Sequence, residues 1–188
     1  PVDFIKEVNP VGGGKEATGL VTRFTRAKTA APANYPVPLQ LFSEIDLAKI
    51  LANTWFNDFN HELLSYQLDE ARIEARLRPF EHRPINPVPN NGVSRDDVVA
   101  LWDYLNGSFR KSVEKLEHGY WPRVLQLAPT LMPAERAELF SLLWGEQTEL
   151  TEIYRNLATS LARLDHAKTV VAEATAEMVA EPRGPRDP

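Results

Sequence analysis

Apolar residues recur at helical spacing through most of this chain, and this periodicity constrains the fold more than any other feature of the sequence. An amphipathic helix buries one face and is only marginally stable in water by itself, so helices of this kind must pack against one another. We therefore predict a mainly α fold, a bundle of five or six helices. The predicted helices cover about residues 43–79, with a break near 57–60, then 94–119, a short segment after 122, 133–145 and 148–164.

Helix-start signals support these boundaries. Ser43 is followed three residues later by Asp46, as in a capping box, and Ser94 precedes two acidic residues that the helix dipole favours. Aromatic side chains such as Trp102, Phe109 and Phe140 are predicted to dominate the core, since burying one large side chain stabilises by roughly 1.5–3 kcal/mol. One side of the last helix is apolar and is predicted to join the bundle: Leu150, Ile153, Tyr154, Leu157, Leu161 and Leu164.

The two ends of the chain differ from the helical middle in composition. Residues 1–42 are predicted to be an extended arm with one or two strands, either flexible or ordered, because residues 20–25 alternate in polarity and residues 37–42 are mostly apolar. Pro38 favours an edge position or a strand start. The helical bundle occupies residues 43–168, and residues 169–188 are predicted to be a linker-like C-terminal tail.

Composition excludes several classes of function. The net charge of -5 disfavours nucleic acid as a partner, because phosphate binding needs a basic field. The absence of cysteine excludes disulfides, thiolate metal sites and cysteine nucleophiles, as in a reducing cytoplasm. No apolar run reaches the roughly 20 residues of a membrane span. The sequence begins at Pro1, with neither a starting Met nor the features of a signal peptide. We therefore interpret the chain as an internal piece of a larger protein.

Individual motifs give no complete active site. Gly12-Gly13-Gly14-Lys15-Glu16 fails the phosphate-loop pattern, since Asn9 replaces its first glycine and Glu16 its magnesium-binding hydroxyl. The histidines are far apart in sequence and are interpreted as surface or helix-capping residues. The tryptophans are interpreted as core or interface anchors. Glu138 is assigned to a solvent-facing side of its helix. We expect no catalysis and no cofactor in these 188 residues alone.

One segment resembles the first switch of dynamin-type GTPases: Thr18-Gly19-Leu20-Val21-Thr22-Arg23, followed by Pro38-Leu39-Gln40-Leu41. In that family the threonine of the Thr-Arg pair binds magnesium and positions the attacking water. The resemblance assigns that role to Thr22, as the catalytic and magnesium-binding residue of the complete protein only. It also places Gly19 and Arg23 beside Thr22 in contact with GTP.

A wider resemblance covers about residues 3–175. The run from Gly14 to Thr25, the segment 43–53, and the segments 139–145 and 150–154 are similar to the SrfC-type putative virulence factor family, large proteins of Gram-negative bacteria with a dynamin-like GTPase core. The resemblance implies that the remaining GTPase motifs lie before Pro1 and after Pro188. It also implies a bacterial cytoplasmic location, or secretion if the protein is an effector.

These observations support two hypotheses. In the first, the chain is a helical segment of a virulence factor, not itself catalytic, that carries the first-switch threonine and contacts the remainder of the larger protein. In the second, it is a non-enzymatic protein–protein interaction module that binds other bacterial or host proteins. The second hypothesis depends on exposed aromatic residues, with Tyr120 and Trp121 as the expected examples.

Overall fold

A computed structural model describes residues 31–81 and 92–173 of the chain. It divides into two compact units. The helical unit runs from Phe42 to Lys168, and the other unit takes the chain up to Leu41 and from Thr169 onward. The predicted strand at residues 20–25 and most of the segment between the helices predicted at 43–79 and 94–119 lie outside the described residues.

Two short strands pair in the non-helical unit. Strand β1 (Val37–Gln40) and strand β2 (Thr169–Ala172) are antiparallel, with Val37 opposite Ala172 and Gln40 opposite Thr169. β1 confirms the strand predicted near residue 37. β2 lies in the segment 169–188 for which a linker-like tail is predicted, and its pattern of Val170 and Val171 between small residues is too short to be distinguished from a loop by periodicity.

The helical unit confirms the predicted mainly α class. Short 3₁₀ turns follow the second, fifth and sixth helices. The helices are α1 (Glu44–Asp58), α2 (Glu70–Leu77), α3 (Arg95–Val113), α4 (Leu116–Gly119), α5 (Trp121–Leu127), α6 (Pro133–Phe140) and α7 (Thr148–Arg163).

The capping box predicted at Ser43 is confirmed, and the N-cap predicted at Ser94 is part of a second capping box. The Ser43 hydroxyl accepts a hydrogen bond from the Asp46 backbone N–H at 3.2 Å, and the Asp46 carboxylate accepts one from the Ser43 backbone N–H at 2.9 Å. Ser94 and Asp97 repeat this exchange at the start of α3, at 3.2 and 2.8 Å. Each box satisfies backbone N–H groups that have no partner within the helix.

The helix predicted from residue 43 to 79 is interrupted for longer than expected. α1 ends at Asp58 and α2 begins only at Glu70, where the Asp69 side chain accepts a hydrogen bond from the Arg72 backbone N–H at 2.8 Å. Between them the Asn60 side chain accepts from the Glu62 backbone N–H at 3.1 Å, which favours a turn over a helix. Leu63, which lies in this turn, is consequently 81% exposed.

The helix predicted to run to Gly119 is also divided. Phe109 has non-helical backbone angles within α3, which ends at Val113, and a turn separates α3 from α4. Gly107 and Ser108 immediately precede the distorted residue, and both are weak helix formers.

Of the three aromatic residues named for the core, only Phe140 is among the side chains that dominate it. Phe140 is fully buried as expected, but Trp102 and Phe109 are only partly buried and pack against the edge of the core. Tyr120 and Trp121, which the interaction hypothesis placed at the surface, are fully buried because they form the tight junction between α4 and α5. The largest fully buried aromatic side chains are Trp121, Trp144, Tyr120, Tyr154 and Phe140.

Candidate functional site

The residues assigned to nucleotide and magnesium, Gly19, Thr22 and Arg23, lie outside the described residues. Their roles therefore stay predictions. In the described ranges 31–81 and 92–173, no group of three or more His, Cys, Asp or Glu side chains is arranged to hold a metal ion. Within the same ranges, no helix has both the length and the apolar character to cross a bilayer.

A buried polar cluster joins α1, α6 and α7. The Arg136 guanidinium donates two hydrogen bonds to the Glu44 carboxylate, Nε to Oε1 at 2.6 Å and Nη2 to Oε2 at 2.7 Å. The Tyr154 hydroxyl donates to Glu44 Oε1 at 2.7 Å, and Arg136 Nη1 also donates to the carbonyl of Leu131. The side chains of Arg136 and Glu44 have no solvent exposure. Since no substrate can reach them, we interpret this cluster as structural.

Burial changes the ionisation of the tyrosine in this cluster. Loss of solvent, followed by the nearby Glu44 carboxylate, raises the pKa of Tyr154 well above its ordinary value. The neutral phenol is therefore held as a hydrogen-bond donor to Glu44, which suits it to joining two helices.

A second set of charges links α2, α6, α7 and the turn before α7 at the surface. Glu146 accepts hydrogen bonds from Arg72 at 2.8 Å and from Arg76 at 2.5 Å. Glu138 accepts from Arg76 at 2.6 Å and from Arg155 at 2.5 Å. Glu138, predicted to face solvent, is thus paired with two arginines. These charged groups connect helices and are not arranged around an open cleft.

An open cleft of about 200 Å³ lies at the end of α1. His61 Nε2 is 2.8 Å from the carbonyl oxygen of Trp55, so His61 caps the end of α1 as predicted for the histidines. The Tyr66 hydroxyl is buried without a hydrogen-bond partner in the described part of the chain, and burial raises the pKa of Tyr66. The cleft is lined by Trp55, Phe56, His61, Tyr66, Leu68, Ser112, Leu116 and Leu142.

The cleft does not bring a serine nucleophile together with a base in the described part of the chain. A serine nucleophile needs a base within hydrogen-bond distance, and no hydrogen bond joins Ser112 to His61 among the contacts of residues 31–81 and 92–173. The Tyr66 hydroxyl is closed to water, so a ligand in the cleft would not reach it. The cleft is a surface depression lined by polar and apolar groups in similar measure.

The apolar side of α7 offers a different kind of site. Leu150, Tyr154 and Ala158 are buried, but Ile153, Leu157 and Leu164 are 45%, 46% and 47% exposed. The prediction that this whole side joins the bundle is therefore wrong for half of it. We call these three exposed residues, together with the partly buried Leu161 between Leu157 and Leu164, the α7 strip.

Spacing places the α7 strip on one line along the helix. Its members follow one another at intervals of four, four and three residues, which brings them onto the same face. Isolated exposed apolar residues are ordinary on protein surfaces, whereas an aligned set indicates a contact surface. The strip is therefore the strongest candidate for function in the described chain.

Comparisons with known proteins place the chain in one family. No curated protein and no solved structure matches it. A family model matches residues 1–186, and the description of that family is “Putative bacterial virulence factor”.

Proposed function

This chain belongs to the family described as “Putative bacterial virulence factor”, and from that membership we propose that its helical unit is a non-catalytic protein-binding module that uses the α7 strip. The observation that carries the proposal is the exposure of Ile153, Leu157 and Leu164 on one line of a well-packed helix. An apolar line on a helix is suited to contact with another helix or a groove of a protein partner.

The way α7 is held supports this proposal. Its buried side is fixed by the hydrogen bond from Tyr154 to Glu44, and its flank is fixed by the ion pair of Arg155 with Glu138. A contact surface on an element that is already ordered loses little conformational freedom on binding. The proposed surface is therefore preorganised.

Thiol accessibility tests the proposal directly, because the chain has no cysteine of its own. Leu157→Cys places a thiol in the strip, and Val99→Cys, at a position 39% exposed on α3, is the matched control. The substitution is made both in the full-length protein, which is labelled in a cell extract, and in the purified chain, which is labelled in dilute solution. We expect maleimide to label Leu157→Cys at least about tenfold more slowly in the first sample than in the second. The labelling rate of the Val99→Cys variant should not change. Equal rates for the Leu157→Cys variant in both samples would reject the proposal.

We also propose that the chain contributes the first switch of a dynamin-like GTPase core in an SrfC-type virulence factor. The support is the run Thr18-Gly19-Leu20-Val21-Thr22-Arg23. Thr22 would bind magnesium, Gly19 would allow the backbone to approach the phosphates, and Arg23 would lie beside them. Binding a nucleoside triphosphate requires several motifs together. The remainder of the larger protein would supply the other GTPase motifs and is therefore the required partner. Its place of action would be the bacterial cytoplasm, or outside the cell for an effector.

Turnover of GTP by the full-length protein tests this second proposal. Thr22→Ala should abolish magnesium-dependent hydrolysis because the magnesium shell loses its hydroxyl ligand. Thr18→Ala, in the same run, is the control and should keep most of the activity. Unchanged turnover and magnesium affinity in Thr22→Ala would contradict the switch assignment.

A further inference from the structure

We propose that the α7 strip binds a second copy of this chain, with the two α7 helices antiparallel about a two-fold axis near Leu157. The inference rests on the proposed protein-binding function and names its partner. A two-fold contact uses the same surface on both copies, so the surface must be complementary to itself. The α7 strip meets this condition in its apolar residues, and the charges at its border meet it too.

The apolar residues are spaced symmetrically about Leu157. Ile153 precedes Leu157 by four residues and Leu161 follows it by four. An axis at Leu157 therefore places Leu157 against its symmetry mate and Ile153 against Leu161 of the other copy. The line from Ile153 to Leu164 is about 17 Å long at 1.5 Å per residue, long enough for the side chains of two helices to interdigitate.

The charges at the border of the strip favour the antiparallel direction. At about 100° per residue, Glu149 and Arg163 both fall on the side of the strip that faces away from Tyr154. Glu149 lies eight residues before Leu157 and Arg163 lies six after it. In antiparallel helices, residues on the same flank meet, so Glu149 of one copy faces Arg163 of the other. A parallel pair would instead bring opposite flanks of the two helices together, so Glu149 and Arg163 would not meet.

These two charges are free to make such contacts. Glu149 and Arg163 are exposed, and neither forms an ion pair within the described part of the chain. Exposed Asn156 and Ser160 complete the border between them with small polar side chains. Complementary charges at a rim set the direction of association more than its strength.

The strip is small for an interface, and this fixes the kind of assembly expected. Stable complexes bury about 1,200–2,000 Å², more than one short helix pair provides. We therefore expect a reversible dimer that dissociates on dilution of the purified chain.

Sedimentation of the full 188-residue chain over a range of concentrations tests the inference. The native chain should shift from monomer to dimer. Glu149→Arg and Arg163→Glu alone should each raise the dissociation constant by about tenfold, and the double variant should restore dimerisation because the two charges are exchanged. Circular dichroism confirms that each variant is folded, which these exposed positions should allow.

Disulfide formation provides an independent readout of the axis. Leu157→Cys should give a covalent dimer on mild oxidation at concentrations where the native chain associates, and Val99→Cys should stay monomeric. A chain that stays monomeric at every concentration, with the Leu157→Cys thiol still protected in the full-length protein, would contradict self-association and leave the proposed binding function standing. A Leu157→Cys thiol that is labelled freely in every sample would contradict both.

Discussion

The buried pair of Arg136 and Glu44 determines how three helices of the helical unit are arranged. Both side chains are fully buried, and three different helices meet at the Glu44 carboxylate through Arg136 and Tyr154. Removing two charges from water costs several kcal/mol per ion, and the pair offsets that cost only with both partners present. The pair therefore selects one arrangement of α1, α6 and α7.

We predict that Arg136→Met lowers the free energy of unfolding by about 3–5 kcal/mol, because the buried Glu44 carboxylate loses its counter-charge. Urea denaturation followed by tryptophan fluorescence measures the change. The double variant Glu44→Gln/Arg136→Met should recover part of the loss. Arg123→Gln, which breaks the exposed pair with Glu74 at 2.7 Å, is the control and should change stability far less. Similar losses for the buried and exposed variants would contradict this account.

Buried tyrosines make the fold sensitive to alkali. Burial raises the pKa of Tyr120 and Tyr154 well above the ordinary value of 10.0, so above pH 10 the unfolded chain releases these protons while the folded chain retains them. The stability they contribute is complete below pH 10 and should fall by about 1.4 kcal/mol per pH unit for each tyrosine above it. Urea denaturation between pH 9 and 11 checks this, and Tyr154→Phe should make the fall less steep.

Sequence predicted local features of single residues better than long-range ones. Ser43 and Ser94 were identified as caps because capping depends on residues three positions away. The role of Glu44 could not be predicted, because an acid in a first helical turn is already explained by the helix dipole. Its partner Arg136 is 92 residues away, and no local pattern connects them.

At the scale of elements, α7 shows that periodicity predicts which side of a helix is apolar but not which residues of that side are buried. The pattern identified its apolar side, but that side is wider than the neighbouring helices cover, and only packing decides which residues remain exposed. For the same reason Trp121 could not be distinguished from Trp102 as a core residue. The candidate strip was therefore present in the predicted helix, but its exposure was not predictable from sequence.

Two glycines give opposite predictions for the helical elements. Gly145 has a φ of 62° and closes the turn before α7, and an added Cβ would collide with the Trp55 ring. Gly145→Ala should destabilise the chain by about 1–3 kcal/mol. Gly107→Ala lies within α3 with open space around the new methyl group and should stabilise it by about 0.5–1 kcal/mol. Thermal unfolding compares the two, and equal shifts would show that the Gly145 turn is not strained.

At the scale of the whole molecule, residues 42–168 form a unit with its own core. We predict that this segment, produced alone, folds and unfolds cooperatively in urea, because almost every buried apolar residue lies within it. Circular dichroism and tryptophan fluorescence should report the same transition midpoint. Separate midpoints for the two signals, or a broad transition, would contradict the independence of the helical unit.

The pairing of Gln40 with Thr169 has a practical consequence for protein engineering. Antiparallel partners lie about 5 Å apart, so the backbone leaves one strand and returns to the next almost where it left. A two-residue Asn-Gly turn could join these positions and close β1 and β2 into a hairpin. The excised segment could in turn be transplanted as a cassette into a surface loop of an unrelated carrier, since its attachment points need span only the width of one turn.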